Sequence, residues 1–563
     1  MIDKYAVARA LREIGLLLEL KGENKFRARA YETGARAVDE LREELGTLVD
    51  EKRLTDVSGI GPALAATIAE IWSTGRSQQL ERLREEVPKG ALELAEVPGL
   101  SLKKIQQLSE ALGIDSVAAL KHACEAGQLT EVKGFGAKTQ QKILEGIDRW
   151  ERRDERVRLI DALDDAEPLR AYLAAHPSAK RLELAGSLRR WRETASDADF
   201  LALSDDATEL IDRLISYPAV TRTVLQEERR AIVRLSNGFT IELHVVRDEA
   251  EFAPALVRLT GSAAHVARLE AIAADKGVAL DAPAADEREV YARLGLAYVA
   301  PELREDRGEI EAALDGSVPQ DLVTLADIRG MTHCHTVYSD GKATVEEMAR
   351  AAEAMGMEYL TITDHSPAAH YAGGVTLDRL KQQWDEIARV QELVKVRLLR
   401  GTESDILEDG ALDYPDAVLE KFDVVIASIH SRMKMDEAAM TRRLVNAMRQ
   451  PVFKIWGHAL GRLIMRRDPF ACRVEEVLDA VAESRAAVEI NGDPYRLDMA
   501  PEWAQAARAR GIRFVISTDA HSTRALHNLP FGVHTARRGW IRRGEVLNAL
   551  SADEFARAVR PAQ

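Results

Sequence analysis

The sequence predicts a multidomain chain of α+β and α/β class: a helical N-terminal region, a small α+β middle and a C-terminal series of parallel strand–helix units. Three observations carry this. Residues 1 to about 150 show helical periodicity broken by short Gly-containing turns. Between about 151 and 250, two alternating apolar runs flank Asn237-Gly238, the pattern of a hairpin closed by a type I′ turn. After residue 330, apolar β-rich runs alternate with helical patterns such as Val345 to Ala354 and Glu475 to Ser484. A length of 563 residues suggests roughly four domains, and 46% apolar residues suffice for packed cores.

The first stretch, MIDKYAVARALREIG, reads as an amphipathic helix rather than a signal peptide, and no apolar run is long enough to span a membrane. Three turns then lead into helical patterns: Val57–Ser58–Gly59–Ile60–Gly61–Pro62, Val97–Pro98–Gly99–Leu100–Ser101 and Val132–Lys133–Gly134–Phe135–Gly136. A Gly-x-Gly turn opening a helix exposes backbone N–H groups that hold a phosphate without side-chain charge. That suits a chain of net charge −15, which is no general coating protein for nucleic acid. One such turn is as often a plain helix connection. Repeated within 80 residues, the pattern resembles the helix-hairpin-helix DNA-binding motif, with Gly59, Gly61, Gly99, Gly134 and Gly136 as DNA-contacting positions. Ser101 replaces the second glycine of the middle copy, which is therefore expected to be structural. KFRARAY (Lys25 to Tyr31) adds a basic face that would line DNA or simply meet solvent.

In the middle region, Leu182 to Ala185 is a short strand followed by GSLRRWRETASDADFLAL. Asp197 and Asp199 lie two apart on a strand, so both carboxylates leave one face and suit a pair of Mg²⁺ ions. On the second strand of the hairpin, Ile241, Leu243 and Val245 share the core face, which turns Glu242 toward the same side as a third carboxylate. A DxD pair alone is more often surface acidity than catalysis. With Gly186-Ser187 upstream, however, the stretch resembles the nucleotidyltransferase palm of family X DNA polymerases. The resemblance implies triphosphate contacts from Gly186, Ser187 and Arg190, catalytic metal (Mg²⁺ or Mn²⁺) on Asp197, Asp199 and Glu242, and dNTPs as substrates. Leu259–Thr260–Gly261–Ser262 resembles the thumb motif of that family, which places Gly261 and Ser262 against the incoming nucleotide. EREVYARLGLAYVAPELRED (Glu287 to Asp306) resembles the segment that precedes the family's linker.

The C-terminal region opens with GMTHCHTVYSDG. His333 and His335 leave one face of an extended run, Cys334 the other, and Asp340 follows in an Asp-Gly turn. YLTIT runs into Asp364 and His365, VRLLRGTE ends at Glu403, VVIASI runs into His430, VFKIW into His458, and FVIST into Asp519 and His521. In parallel β/α folds the chemistry gathers at the C-terminal ends of the strands. Of 13 histidines, nine lie after residue 330, which concentrates the candidate ligands there. A nitrogen and oxygen set without thiolate fits Zn²⁺ or Mn²⁺, and nine ligands imply two or three ions sharing a carboxylate. Clustered divalent ions are suited to hydrolysing phosphate esters.

HCHTVYSDG, ITDHS, GTESDI, SIHSR, WGH and STDAHS resemble the successive motifs of the PHP (polymerase and histidinol phosphatase) family. The resemblance implies a distorted (β/α)7 barrel holding a metal cluster on His333, His335, Asp340, His365, Glu403, His430, His458, Asp519 and His521, with Glu403 as the bridging carboxylate. His333, His335, Glu403 and Asp519 would fix the ion between nucleophile and substrate. Arg432, Arg462 and Arg496, just beyond strand ends, are candidates for phosphate oxygens or for plain solvated arginines.

Taken together the chain resembles the bacterial PolX family, which joins a family X polymerase to a PHP domain with 3′–5′ exonuclease activity. The implied domains are 1–150 (helix-hairpin-helix), 151–250 (palm), 251–318 (thumb), 319–330 (linker) and 331–563 (PHP). The implied partner is gapped or primer-template DNA. Three cysteines in no zinc-type spacing fit a reducing cytoplasm. The oligomeric state is not legible.

The polymerase half departs from its family pattern. The third carboxylate is Glu242 where aspartate is usual, and one methylene moves a carboxylate by about 1 Å, a displacement that can cost roughly 10²-fold. Ser196 stands where glycine is usual, and Arg258 and Leu259 replace an aromatic pair. Ala63 and Thr67 replace lysines that form a Schiff base in some family members. The sequence thus predicts a secure phosphodiesterase joined to a polymerase that is weak, altered in sugar selectivity or retained to bind DNA. The rival readings are a small-molecule PHP phosphatase of the histidinol-phosphatase kind and a DNA-binding phosphoesterase with an inactive polymerase module.

Overall fold

The structure is a computed structural model that describes residues 4–21, 25–39, 45–57, 59–86, 94, 97, 100, 102–132, 134–151, 156–235 and 237–562. It divides into two compact units, Met1–Glu155 and Arg156–Gln563.

The described residues of the first unit are helical. Helices Lys4–Leu20 and Lys25–Asp39 pair through an apolar seam that includes Val7, Leu11, Ile14, Ala28 and Tyr31. The three turns repeat one hydrogen-bonding pattern. Val57, Val97 and Val132 donate to the carbonyls of Leu54, Leu94 and Leu129, and Ile60, Leu100 and Phe135 donate back to Val57, Val97 and Val132. A leucine plugs each turn into the core from before it, and Ile60, Leu100 or Phe135 does so from after it, all buried. Helices Pro62–Thr74, Leu102–Leu112 and Ala137–Glu151 follow the turns. No described helix is long and apolar enough to cross a membrane.

The second unit begins with a five-stranded sheet. Asp197–Leu203 pairs antiparallel with Arg181–Leu184 and parallel with Thr240–Val246, which is followed outward by Arg230–Leu235 and Val220–Gln226. Strict alternation along Thr240–Val246 buries Ile241, Leu243 and Val245 and turns Glu242 and His244 to the opposite face. The hairpin differs from the expected two-residue turn. Leu235 and Phe239 still pair across it, and Gly238 takes a left-handed φ of 85°. Asn237-Gly238 therefore sits within a three-residue connection, the kind that closes with a left-handed glycine.

From residue 330 onward, seven parallel strands follow one another in sequence order: Gly330–Met331, Tyr359–Ile362, Arg397–Asp405, Val424–Ser428, Lys454–Trp456, Ala486–Asn491 and Phe514–Ser517. All but the first residue of Ala486–Asn491 and two of Arg397–Asp405 are buried, because parallel strands are covered on both faces. The sheet closes on itself just beyond its edge strands. His335 N–H donates to the Ala520 carbonyl, and Ala520 N–H donates to His333. The bottom is plugged by helix Ala552–Ala558, whose Phe555 stacks on Tyr359 at 4.8 Å. Segment 319–330 packs on the barrel: Val323 donates to Ile541, and Leu322 and Val323 are buried.

Candidate metal centres and their surroundings

The barrel closure itself positions the first ligands. His333 and His335 flank the closing hydrogen bonds to Ala520, and Asp519 and His521 flank the same residue on the other strand. Asp340 lies in the segment between strand Gly330–Met331 and helix Val345–Ala354. His365, His430 and His458 follow the strands Tyr359–Ile362, Val424–Ser428 and Lys454–Trp456, and Glu403 lies within Arg397–Asp405. All nine predicted ligands thus reach one mouth.

Donor atoms of His335, Asp340, His365 and His521 lie within 4.8 Å of one another, as do those of His333, His335 and Asp519 and those of His365, Glu403 and His430. Glu403 is the hub. Its Oε2 is 3.5 Å from His333 Nε2, 3.5 Å from His335 Nε2 and 2.9 Å from His365 Nδ1. Its Oε1 is 3.3 Å from His430 Nε2 and 2.9 Å from His458 Nε2. Asp519 Oδ1 lies 3.3 Å from His335 Nε2, and Asp340 Oδ1 lies 3.3 Å from His521 Nε2.

The chemistry of these donors fits divalent cations. His333 Nε2, both nitrogens of His335, His365 Nδ1, His458 Nδ1 and Glu403 Oε2 are buried without a hydrogen-bond partner. Burying polar atoms unpaired is costly, and so many at one point indicate partners of another kind. The field is strongly negative: burial would lower the His365 pKa, yet Glu403 and Asp340 push it up to about 10. His430 and His521 rise to about 9 for the same reason, against burial, beside Glu403 and Asp405 and beside Asp340 and Asp519. His335 goes the other way, to about 3, because burial and the neighbouring His521 and His365 penalise its charge.

Sequence reasoning missed the supporting layer. Glu489 accepts from His333 Nδ1 at 2.6 Å and from Ser517 Oγ at 2.6 Å, so it orients the imidazole with Nε2 toward the other donors. Asp405 does the same for His430 Nδ1. Asp364 gathers Thr336, Ser339 and Gln383. Glu489 is an acid inside an otherwise apolar run, AAVEIN, which is the signal that would have found it. Of the three arginines, Arg496 stands at the cluster, 3.4 Å from Asp519. Arg432 pairs with Glu408 at 3.1 Å, and Arg462 turns away to the carbonyls of Arg496 and Leu497 and to Glu193.

On the five-stranded sheet, Asp199 and Glu242 are direct cross-strand neighbours and Asp197 lies two residues away on the same face. Burial together with the charges of Asp197 and Glu242 raises Asp199 to about 7. Burial also raises Asp197, against a hydrogen bond from Ser196. Glu242 is already taken: His244 and Arg230 each reach it at 2.6 Å and hold it down to about 2. Gly186, at φ 57°, lies against Asp199; a Cβ there would come within 1.8 Å of the carboxylate. Ser187 Oγ is buried and unpartnered.

The other predicted nucleotide contacts have partners within the protein. Arg190 donates to Glu305 and to the Thr260 carbonyl, and its neighbours Arg189 and Arg192 pair with Glu287 and Glu305. Ser262 caps helix Ala263–Asp275 by accepting from His265 N–H, and Gly261 admits Val266 and His265 close to its Cα. Arg258 and Leu259 line a cavity of about 360 Å³ with His244, Arg229 and Arg230.

Between the two centres, the loop after Arg190 meets the barrel. Trp191 stacks on His534 with centroids 3.9 Å apart, and Phe531 packs edge-on to it. Glu193 sits between Arg462 at 3.3 Å and Arg538 at 3.2 Å.

In the first unit, Gly59 and Gly134 have φ of 92° and 95°, and the space beside Gly61, Gly134 and Gly136 is open to any added Cβ. Gly99 lies outside the described residues, as do Ser58, Pro98, Ser101 and Lys133. Arg27 and Arg29 are exposed, Ala28 and Tyr31 buried. Ala63 and Thr67 share one helix turn, with the Thr67 hydroxyl donating to the Ala63 carbonyl.

Family models match a helix-hairpin-helix domain at residues 3–77, a SAM-like helix-hairpin-helix tandem at 91–149, a DNA polymerase beta thumb at 255–305 and a PHP domain at 332–493. A Bacillus subtilis protein named DNA polymerase/3′-5′ exonuclease PolX is 35% identical over 98% of both chains. A probable phosphatase of Caldanaerobacter subterraneus is 32% identical over 34% of this chain and 75% of its own length. Another, from Acetivibrio thermocellus, is 29% identical over 34% of this chain and 78% of its own. The phosphatases cover only the PHP part, whereas the first relative aligns with nearly the whole of this chain, and the chain belongs to the PolX family.

Proposed function

We propose that this chain is a DNA-repair enzyme whose barrel removes 3′ nucleotides by metal-dependent phosphodiester hydrolysis and whose palm is a gap-filling polymerase of reduced power. One observation carries the first part: nine acids and imidazoles converge at one mouth, with several of their buried atoms in no hydrogen bond. Zn²⁺ or Mn²⁺ ions on His333, His335, Asp340, His365, Glu403, His430, His458, Asp519 and His521 would activate water and offset the charge of the phosphodiester. The protein's own part is orientation and exclusion of water. Glu489 holds the His333 proton at Nδ1 and leaves Nε2 free to ligate, and Asp405 does so for His430. Arg496 offers a guanidinium to substrate phosphate beside Asp519.

In the palm, Mg²⁺ or Mn²⁺ would sit on Asp197 and Asp199, with Glu242 as third ligand once released from Arg230 and His244. Ser187 Oγ and the left-handed Gly186 backbone would meet the triphosphate. Arg190 would have to leave Glu305 to join them, and these two prior engagements support the reading of a weakened polymerase. The glycine turns of the first unit would grip duplex phosphates through backbone N–H groups.

A labelled primer on a one-nucleotide gap, with Mn²⁺ and with or without dNTPs, tests both halves. The expected result is shortening without dNTPs and slow one-nucleotide extension with them. Asp197→Ala/Asp199→Ala removes the extension and spares the shortening. Fast extension would contradict the weakened polymerase, and a primer that never shortens would remove the hydrolase. Hydrolysis of p-nitrophenyl phosphate in preference to the primer would favour the phosphatase reading that the barrel-only relatives suggest.

A further inference from the structure

Among the described residues two aromatic side chains are exposed, Tyr371 and Tyr495. Arg158 covers the ring of Tyr495 at 4.4 Å. Tyr371 has no such cover and is 70% exposed. Its ring lies 6.0 Å from that of His365 and 6.2 Å from that of His430, at the rim of the barrel mouth.

The loop that presents it is held firmly. Ala368 N–H donates to Asp413 at 2.7 Å, Val375 N–H donates to the His365 carbonyl at 2.7 Å, and Gly373 and Gly374 donate back to His370 and Ala369. Arg379 donates to the Gly373 carbonyl at 2.9 Å. Gly374 passes so near Ser366 that a Cβ would meet its carbonyl oxygen at 2.0 Å. Ala369 and Ala372 are buried on either side of the exposed ring. An apolar ring fixed in water beside a hydrolytic centre is not accounted for by packing.

We propose that Tyr371 is the platform on which the base of the 3′-terminal nucleotide stacks during hydrolysis. This rests on the exonuclease reading above. A terminal nucleotide whose 5′ phosphate lies against the imidazoles carries its base one sugar further out, toward the Tyr371 ring. A flat aromatic face accepts all four bases, as a 3′ exonuclease that removes nucleotides of any sequence requires, because stacking needs no hydrogen-bond readout. The phosphate would be held on the Arg496 side of the mouth and the base on the Tyr371 side. Tyr371 is thus a positioning and selectivity residue, distinct from the ligands.

The test compares kcat/KM of the full chain with Mn²⁺ on two duplexes, one ending in a 3′ thymidine and one in a 3′ abasic tetrahydrofuran nucleotide. Wild type is expected to prefer the base-bearing end. Tyr371→Ala loses about tenfold to a hundredfold on that end, mainly in KM, and is unchanged on the abasic end. Tyr371→Phe keeps the preference, since the ring and not the hydroxyl acts. Equal loss on both ends, or no loss on either, overturns the platform while leaving the exonuclease reading intact. Wild type that digests neither end overturns both.

Discussion

Replacing His335 or Asp519 by alanine is expected to remove metal-dependent 3′ digestion, by at least about 10²-fold, while DNA binding stays at the wild-type level. The argument is geometric. His335 is fully buried, belongs to two of the three donor groups, and has neither ring nitrogen in a hydrogen bond. Asp519 lies 3.3 Å from it and 3.5 Å from His333. A structural histidine would be satisfied by the protein, and this one is not. Gel-shift binding to a gapped duplex and release of labelled nucleotides separate the two outcomes. Mn²⁺-dependent digestion by either variant at the wild-type rate would count against the assignment of the site.

The second large effect concerns the seam between palm and barrel. Glu193→Ala is expected to lower the stability of the full chain by about 3–5 kcal/mol, because it leaves Arg462 and Arg538 facing each other without their shared acid. Arg538 is only 4% exposed, so water does not replace the lost partner. Burial alone would raise the Glu193 pKa; Arg538 and Arg462 overcome it and bring it down to about 2 from an ordinary 4.5. A carboxylate whose folded pKa is depressed stabilises fully above its unfolded value and loses that contribution as pH falls through the folded one. The margin of wild type over Glu193→Gln is therefore expected to be constant above about pH 5 and to vanish between pH 4.5 and 2. Thermal melting of both proteins across that range reads it directly, and a margin that grows on acidification would contradict the pairing.

The seam was not legible in the sequence, and the reason is physical. Glu193 lies in a run, RRWRET, whose charges look like a solvated surface, and nothing local reveals that Arg462 and Arg538, some 270 and 345 residues on, will face it. The same holds for Arg190, which the palm motif offers to a triphosphate and the fold commits to Glu305. Long-range ion pairs depend on topology rather than on periodicity. The nine barrel donors were legible because parallel strands announce themselves as apolar runs and the fold rule places chemistry at their C-terminal ends. Glu489 escaped because its run, AAVEIN, continues two residues past it, whereas VRLLRGTE reads as a run that ends at Glu403. The hairpin was readable as a hairpin, but its turn was not: Asn-Gly is compatible with more than one loop length, and the register is set by pairing of Leu235 with Phe239.

Elemental analysis of the purified full chain tests the central claim most directly. The reading proposed for the cluster around Glu403 predicts two to three tightly held divalent ions per chain, Zn²⁺ or Mn²⁺, with fewer retained in His335→Ala. A wild-type chain that binds less than one ion, or a His335→Ala variant that keeps the full complement, would contradict it.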